Sequence, residues 1–442
     1  MYELQQIFSA YKVPATIFEK TEGCRITTYK FTLHDGARIL SVSQILAEIG
    51  VKLGVESIRM IEIPEENSFG IEVSSKDARP VRLGDILRSD EFINSDKKLK
   101  FVLGETPNGQ KVVGSLAEAR NMLIGGCQGS GKSVFINVLL LSLLKEDPSD
   151  LKLVLIDPKK VELNRYEEIP HLLVPVLTEP KQIQNTLVWL EGEMEERYDF
   201  LNKISGGDNG TFASIDEFNQ ELKYRNSDEE YQRHKRPKIV VVIDEMAQLF
   251  MTLKSSDDFG VMYGGDHIRN SVTKIAKLGR AAGIHLIAST QNPKAEIVNT
   301  LLRGNFSTKV AFKVTSESNS RIILDESGAE KLLGRGDMLY MQEDDFEPRR
   351  IQGAFVSSTE IDKVVNSIKE DNDPVKYDKI AIWYNNGFAV ISVALLKKGF
   401  TCEEALEKIK DILNQCNGKT GGCILEPCDD IEYDDYVDWV VR

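Results

Sequence analysis

The sequence predicts an α/β fold whose largest part is a parallel sheet flanked by helices, and three observations predict it. Short apolar runs recur and end in polar residues: Met122-Leu123-Ile124-Gly125, Leu151 to Asp157, Ile239 to Glu245 and Ile284 to Thr290. In open parallel sheets such strand ends are where ligands bind. Between them lies segment 182–204, with Leu187, Leu190, Met194, Tyr198 and Leu201 at helical spacing, so those side chains are core. Finally, Gly126 to Ser133 fits G-x-x-x-x-G-K-S between a strand-like run and the helix-like run 134–141.

That third observation carries the chemistry. Gly126, Cys127, Gln128, Gly129, Ser130, Gly131, Lys132 and Ser133 form a loop whose glycines let backbone N–H groups turn inward around phosphates. The helix start adds positive potential, Lys132 neutralises phosphate charge, and Ser133 offers a hydroxyl to Mg²⁺. ATP with Mg²⁺ is the expected ligand. The run ending in Asp244-Glu245 supplies the acids that hydrolysis needs: Asp244 for the metal, Glu245 for the attacking water. Asp157, at another strand end, is expected beside the nucleotide, and Gln291 is placed to sense the γ-phosphate or the water. His285 sits between apolar neighbours and reads as core.

The chain has 442 residues, enough for about two or three domains. We read residues 1–100 as a small α/β domain, 101–372 as the nucleotide-binding domain and 375–442 as a small C-terminal domain, with Asp371-Asn372-Asp373-Pro374 as linker. No apolar run approaches the length of a membrane span, which leads us to expect a cytoplasmic protein with no membrane contact. Six scattered cysteines, at 24, 127, 402, 416, 423 and 428, complete no zinc set and read as reduced thiols. The net charge of −14 argues against an overall basic footprint, although an acidic ring can still be positive within.

In chain order, the first residues read as a short helix (Leu4, Ile7, Phe8) ending near Pro14. Strand 25–31, helix 43–49 and strands 58–63 and 69–73 follow, the last two around a turn at Pro64. Beyond the strand at 151–157 and helix 182–204, residues 206–210 and 226–236 read as surface insertions. Helix 272–282 is expected to present Lys274, Lys277 and Arg280. A helix at 294–303, strand 308–314, a helix start at 320–324, strands 338–342 and 350–355 and helix 361–369 complete the core.

Several runs together resemble the FtsK/SpoIIIE DNA translocases, hexameric motors that pump double-stranded DNA. They are Gly126 to Ser133, Ile156-Asp157-Pro158-Lys159, Ile169 to Leu173, Val242-Ile243-Asp244-Glu245, Arg280 to Leu286, Ser320 to Asp325, Leu333-Gly334-Arg335-Gly336-Asp337-Met338-Leu339-Tyr340 and Gly353 to Ser357. The resemblance covers about residues 100 to 370, and residues 25–90 resemble the family's collar-forming alpha domain. It implies a RecA-like core, a homohexameric ring and ATP held between subunits. Arg280 matches the arginine that acts on a neighbour's γ-phosphate, with Arg321 as the alternative. It further implies double-stranded DNA in the pore, contacted through Thr290, Asn292, Lys294, Arg303 and Arg321.

The sequence departs from that pattern in two places. Asn292 and Glu317 stand where the family's pore loops carry cations, so the grip on DNA is expected to be weaker or differently arranged. The family's C-terminal winged helix has a counterpart at 378–415, with 391–396 as a helix and 402–413 in the place of the recognition helix. That second helix carries Glu403, Glu404, Glu407 and Asp411, which would repel phosphates, so either a protein partner there or no DNA specificity at all is expected. The acidic run 429–435 reads as a solvated tail. The function implied is ATP-driven DNA translocation, in segregation or transfer for a bacterium, phage or mobile element. The alternative is a coupling or secretion ATPase with a protein cargo.

Overall fold

The computed structural model describes residues 1–371 apart from 35, 56, 76–77, 205–211, 252–254 and 257–261, together with the backbone of 378–385, 389–396 and 439–440. The chain divides into two compact units, Met1–Glu146 with Ala288–Ile361, and Asp147–Ile287 with Asp362–Arg442.

The first unit contains two sheets. Near the N-terminus, four antiparallel strands lie in the order Ala15–Glu22, Ile26–Leu33, Ser68–Ser74, Ile58–Ile63. Their apolar face closes over Leu4, Ile7 and Phe8 of the helix Tyr2–Ala10 and over Ile49 and Leu53. The expected helix near the start is present, but after Pro14 the chain becomes the strand Ala15–Glu22, because Thr16, Phe18, Lys20 and Glu22 alternate with more protected neighbours. The helix expected at 43–49 is two short ones, Ile39–Ser43 and Leu46–Leu53. Gly54, at φ +65, ends the second as a left-handed cap.

The larger sheet of this unit runs Lys111–Ser115, Lys100–Glu105, Arg349–Gly353, Asp337–Met341, Thr308–Phe312, Met122–Gly125, with the end of Ile284–Thr290 next. Thr308–Phe312 and Met122–Gly125 pair in parallel, while the outer strands pair antiparallel. Sequence reading missed the two outermost strands, whose alternation is interrupted by Gly104 and Gly114. The helix Lys132–Leu143 is buried on nearly every side from Phe135 to Leu143, as an apolar-all-round helix must be. Within it, Ser142 accepts the Val102 N–H at 3.1 Å, joining the helix to that missed edge.

The second unit pairs Leu151–Ile156 with Lys238–Ile243 in parallel, Ile156 opposite Ile243. The helix Pro180–Ile204 buries Ile183, Leu187, Leu190, Met194 and Leu201. Its Arg197 is buried and donates to Glu193 (2.7 Å) and to the Pro237 and Ala282 carbonyls (both 2.9 Å). The expected insertion at 226–236 contains the helix Asp228–His234; it and the preceding helix Ile215–Arg225 are each capped by a serine, Ser227 and Ser214. The helix expected at 272–282 spans Gly265–Leu278, so Arg280 stands in the turn beyond it and not on the helix. Gly279 cannot carry a side chain there, since a Cβ would lie 2.6 Å from the Ile284 carbonyl oxygen.

The C-terminal expectation needs correction. Residues 391–396 are not a helix: Asp378–Asn385 and Ala389–Leu396 form an antiparallel hairpin, joined by Trp439–Val440. Both runs are rich in β-branched and aromatic residues, which fit a pleat better than a helix, and Asn386-Gly387 between them is a hairpin signal. Residues 402–413, the acidic run 429–435 and the four cysteines after 400 lie outside the described residues.

Candidate nucleotide site

The phosphate loop is built in the first unit and is anchored on both sides. Beyond the buried strand Met122–Gly125, the Gly126 N–H donates to the Thr290 carbonyl at 3.2 Å and the Cys127 N–H to the Lys313 carbonyl at 2.8 Å. The Ser130 N–H donates back to the Cys127 carbonyl at 3.2 Å, closing a tight turn. Gly131, at φ +115, then admits the chain into the helix Lys132–Leu143. A Cβ on Gly131 would lie 2.4 Å from the nitrogen of Gly336, whose N–H donates to the Ser130 carbonyl at 2.8 Å. The run Leu333 to Asp337 therefore buttresses the loop from outside, a role its sequence did not announce.

Lys132 is 3% exposed, and its ammonium donates to Ser289 Oγ at 2.9 Å. Ser289, two residues before Gln291, was missed as a site residue although it lies in a strand that was read correctly. Ser130 Oγ is buried and has no hydrogen-bond partner among the described residues. An orphan hydroxyl is costly, and a phosphate oxygen is the acceptor this turn is shaped to receive. Ser133 is half-buried in the first turn of the helix; Asn137 Nδ2 donates to its carbonyl at 2.8 Å. The residues fit a nucleotide phosphate. They fit Mg²⁺ as well, because that ion keeps most of its shell from water and phosphate and asks the protein for one or two oxygens. Gln128 and Gly129 are exposed, Cys127 and Gln291 half-buried.

The acids lie in the second unit. Register puts Ile156 beside Ile243, so Asp157 and Asp244 follow neighbouring strands at one sheet end, and the Asp244 N–H donates to the Ile156 carbonyl at 3.0 Å. Asp157 is fully buried, and both its oxygens are engaged by its own turn: they accept from Lys159, Val161, Glu162 and Leu163 N–H groups at 2.8–3.1 Å. Asp244 and Glu245 are 1% and 4% exposed. Glu245 stands at the N-terminus of the helix Met246–Phe250, and Lys159 Nζ meets its Oε2 at 3.2 Å. In the sequence, nothing about Lys159 beyond its place in the run Ile156 to Lys159 points to this contact. Arg280 is exposed, its carbonyl accepts the Gly283 N–H at 3.0 Å, and its guanidinium has no ion-pair partner among the described residues.

The five residues expected at DNA fall in the first unit. Thr290 is fully buried and its hydroxyl accepts the Asn292 N–H at 3.1 Å; Asn292 is half-buried. Lys294 is exposed and precedes the helix Thr300–Arg303, which is much shorter than the expected 294–303. Arg303 pairs with Asp325 at 2.9 Å and Arg321 with Glu317 at 2.7 Å. Among the helix 265–278 cations, Lys274 bridges Glu191 (2.9 Å) and Glu195 (2.8 Å). His285 is buried, as expected.

A phosphate loop after one parallel strand and paired acids after another define the P-loop ATPase fold. Solved structures that share it include the pCW3 conjugation coupling protein TcpA, in monomer form with ATPγS, and the Type VII secretion ATPase EccC of Thermomonospora curvata. TcpA superposes with a TM-score of 0.56 at 21% identity over 83% of this chain and 98% of that one. EccC does so at 0.55 and 20% identity, over 68% and 35%. The sequence profile of the FtsK/SpoIIIE family matches residues 82–295, and that of the FtsK alpha domain residues 1–75. DNA translocases FtsK from Clostridium tetani, Oceanobacillus iheyensis and Corynebacterium glutamicum are 37%, 38% and 34% identical over 83%, 83% and 94% of the chain. The chain belongs to the FtsK/SpoIIIE family. It spans under half the length of these relatives, 47%, 45% and 44%. None of the described helices is long and apolar enough to cross a membrane.

Proposed function

We propose that this chain hydrolyses ATP and uses the energy to move double-stranded DNA through a homohexameric ring. The observation that carries the reading is the phosphate loop, with Lys132 buried behind it and the Ser130 hydroxyl awaiting an acceptor. Lys132 and the loop N–H groups hold the β- and γ-phosphates, and Ser133 and Asp244 would hold Mg²⁺, which when bound would screen the phosphate charge. Glu245 takes a proton from water as the water oxygen bonds to the γ-phosphorus; the bond to the bridging oxygen breaks and ADP leaves with the electron pair. Gln291 orients the water or reads the γ-phosphate. Arg280, exposed and unpaired among the described residues, reaches a neighbour's nucleotide and couples successive subunits. Identity of 34–38% to DNA translocases supports duplex DNA as the cargo, with Thr290, Asn292, Lys294, Arg303 and Arg321 at the strand. A cytoplasmic motor in segregation or transfer fits this reading, with a protein partner at the C-terminal region.

One observation favours the second reading, a protein cargo: the two pore arginines already have carboxylate partners, Asp325 and Glu317. The deciding experiment compares ATP turnover with and without long linear duplex at low salt, where phosphate binding is strongest, and follows displacement of a triplex-forming strand. Stimulation and displacement, both abolished by Lys132→Ala and Glu245→Gln, support DNA pumping. Turnover indifferent to duplex overturns it in favour of the protein cargo.

A further inference from the structure

Glu245, the residue assigned to the attacking water, faces a cation that the hydrolytic scheme does not use. Lys159 Nζ lies 3.2 Å from Glu245 Oε2, with the carboxylate side chain 5% exposed and the lysine side chain 36% exposed. The pairing is built, since both backbones are held. The Lys159 N–H donates to the buried Asp157 carboxylate at 3.1 Å, within the turn that Asp157 fixes through three further N–H groups. Gln248 ties that turn to the glutamate: its Nε2 donates to the Pro158 carbonyl at 3.3 Å, and its N–H to the Glu245 carbonyl at 3.2 Å. The lysine stem therefore starts from a rigid turn, while its head reaches solvent on four rotatable bonds.

We propose that Lys159 is a guard on Glu245: its ammonium occupies the oxygen that must take the water proton, and hydrolysis waits until a phosphate oxyanion draws the ammonium away. The inference rests on the assignment of Glu245 to hydrolysis. An ammonium both paired and partly exposed is suited to such exchange, because its head is open to solvent and a multiply charged phosphate competes with a single carboxylate for it. The same oxyanion chemistry is offered by the γ-phosphate of the nucleotide and by the backbone of a duplex. A fixed structural pair would instead be buried at both ends, as Arg350 is with Asp337.

The test uses the whole chain and two readouts. Lys159→Met is expected to raise turnover at saturating ATP without duplex by about fivefold, the weight of one partly exposed ion pair, with KM unchanged. Lys159→Arg, which retains the pair, is expected to stay near the parent rate. In the parent protein, acylation of Lys159 by an amine-reactive reagent, read by peptide mass spectrometry, should fall when a phosphate takes the partly exposed ammonium. A fall with ATPγS alone names the γ-phosphate as the trigger; a fall only with duplex names the polymer. Unchanged or reduced turnover in Lys159→Met, or acylation indifferent to both additions, overturns the guard. Glu245→Gln separates the two claims: residual turnover there defeats the assignment of Glu245, whereas a dead Glu245→Gln beside an unaltered Lys159→Met defeats only the guard.

Discussion

Arg350 donates from Nη1 to Glu72 Oε2 at 2.7 Å, so a strand of the larger sheet in the first unit is tied through a buried ion pair to a strand of the N-terminal sheet. The same guanidinium holds Asp337 from Nε at 3.0 Å and Nη2 at 2.7 Å. Asp337 in turn accepts the Leu333 N–H at 2.8 Å, and Arg25 donates to the Gly334 carbonyl at 2.8 Å. Burial alone would push the Arg350 guanidinium down; its two carboxylates outweigh that and hold it above its ordinary value. All three charges are nearly inaccessible, so removing Arg350 strands two buried carboxylates. Arg350→Met is expected to lower unfolding free energy by about 3 kcal/mol in denaturant melts. A loss within error would show that the pair contributes nothing net.

The loop that Gly336 supports sets the next expectation. Gly131→Ala meets both a left-handed backbone angle and the Gly336 nitrogen, so it must displace the loop or the buttress. Nucleotide binding, measured with a fluorescent ATP analogue, should fall at least tenfold, which is about 1.4 kcal/mol. Gly129→Ala, with an open surround but φ +74, should cost less.

In the proposed ring, Arg280→Ala should leave nucleotide affinity unchanged and abolish turnover. An arginine acting on a neighbour's site can be complemented: mixing Arg280→Ala with Lys132→Ala subunits should restore activity at their mixed seams, read as turnover against mixing ratio. Normal turnover of Arg280→Ala alone would remove its coupling role.

The two described cysteines should label oppositely. Burial pushes the Cys24 thiol up to about 11, so it resists alkylation near neutral pH until the protein unfolds. Cys127 is half-buried in the phosphate loop, so ATP should slow its alkylation. Mass spectrometry of the modified peptides with and without ATP checks both.

Burial raises the carboxyl of Glu167, which also accepts the Val176 N–H at 3.0 Å. An acid raised on folding contributes stability that is complete below its unfolded value of about 4.3 and is lost as pH climbs through the folded value. Glu167→Gln keeps a carbonyl oxygen for Val176 and removes that loss. Its melting temperature should exceed the parent's by more at about pH 8 than at about pH 4.

What the sequence determined by itself was local and covalent in origin. The spacing of glycines, lysine and serine at 126–133, the apolar runs ending in Asp157, Glu245 and Thr290, and the period of 182–204 depend on neighbours within a few residues, and these were legible. The hairpin at 378–396 was misread because its apolar runs satisfy helix and strand alike until a partner strand decides between them. Tertiary structure alone decided that Ser289 meets Lys132, that Gly336 leans on Gly131, that Arg350 joins Glu72 to Asp337, and that Lys159 covers Glu245. Apart from Asp337, which is 13 residues from Arg350, the partners are 86 to 278 residues apart in the chain. Their distance is set by strand register and turn geometry, which no short-range pattern encodes.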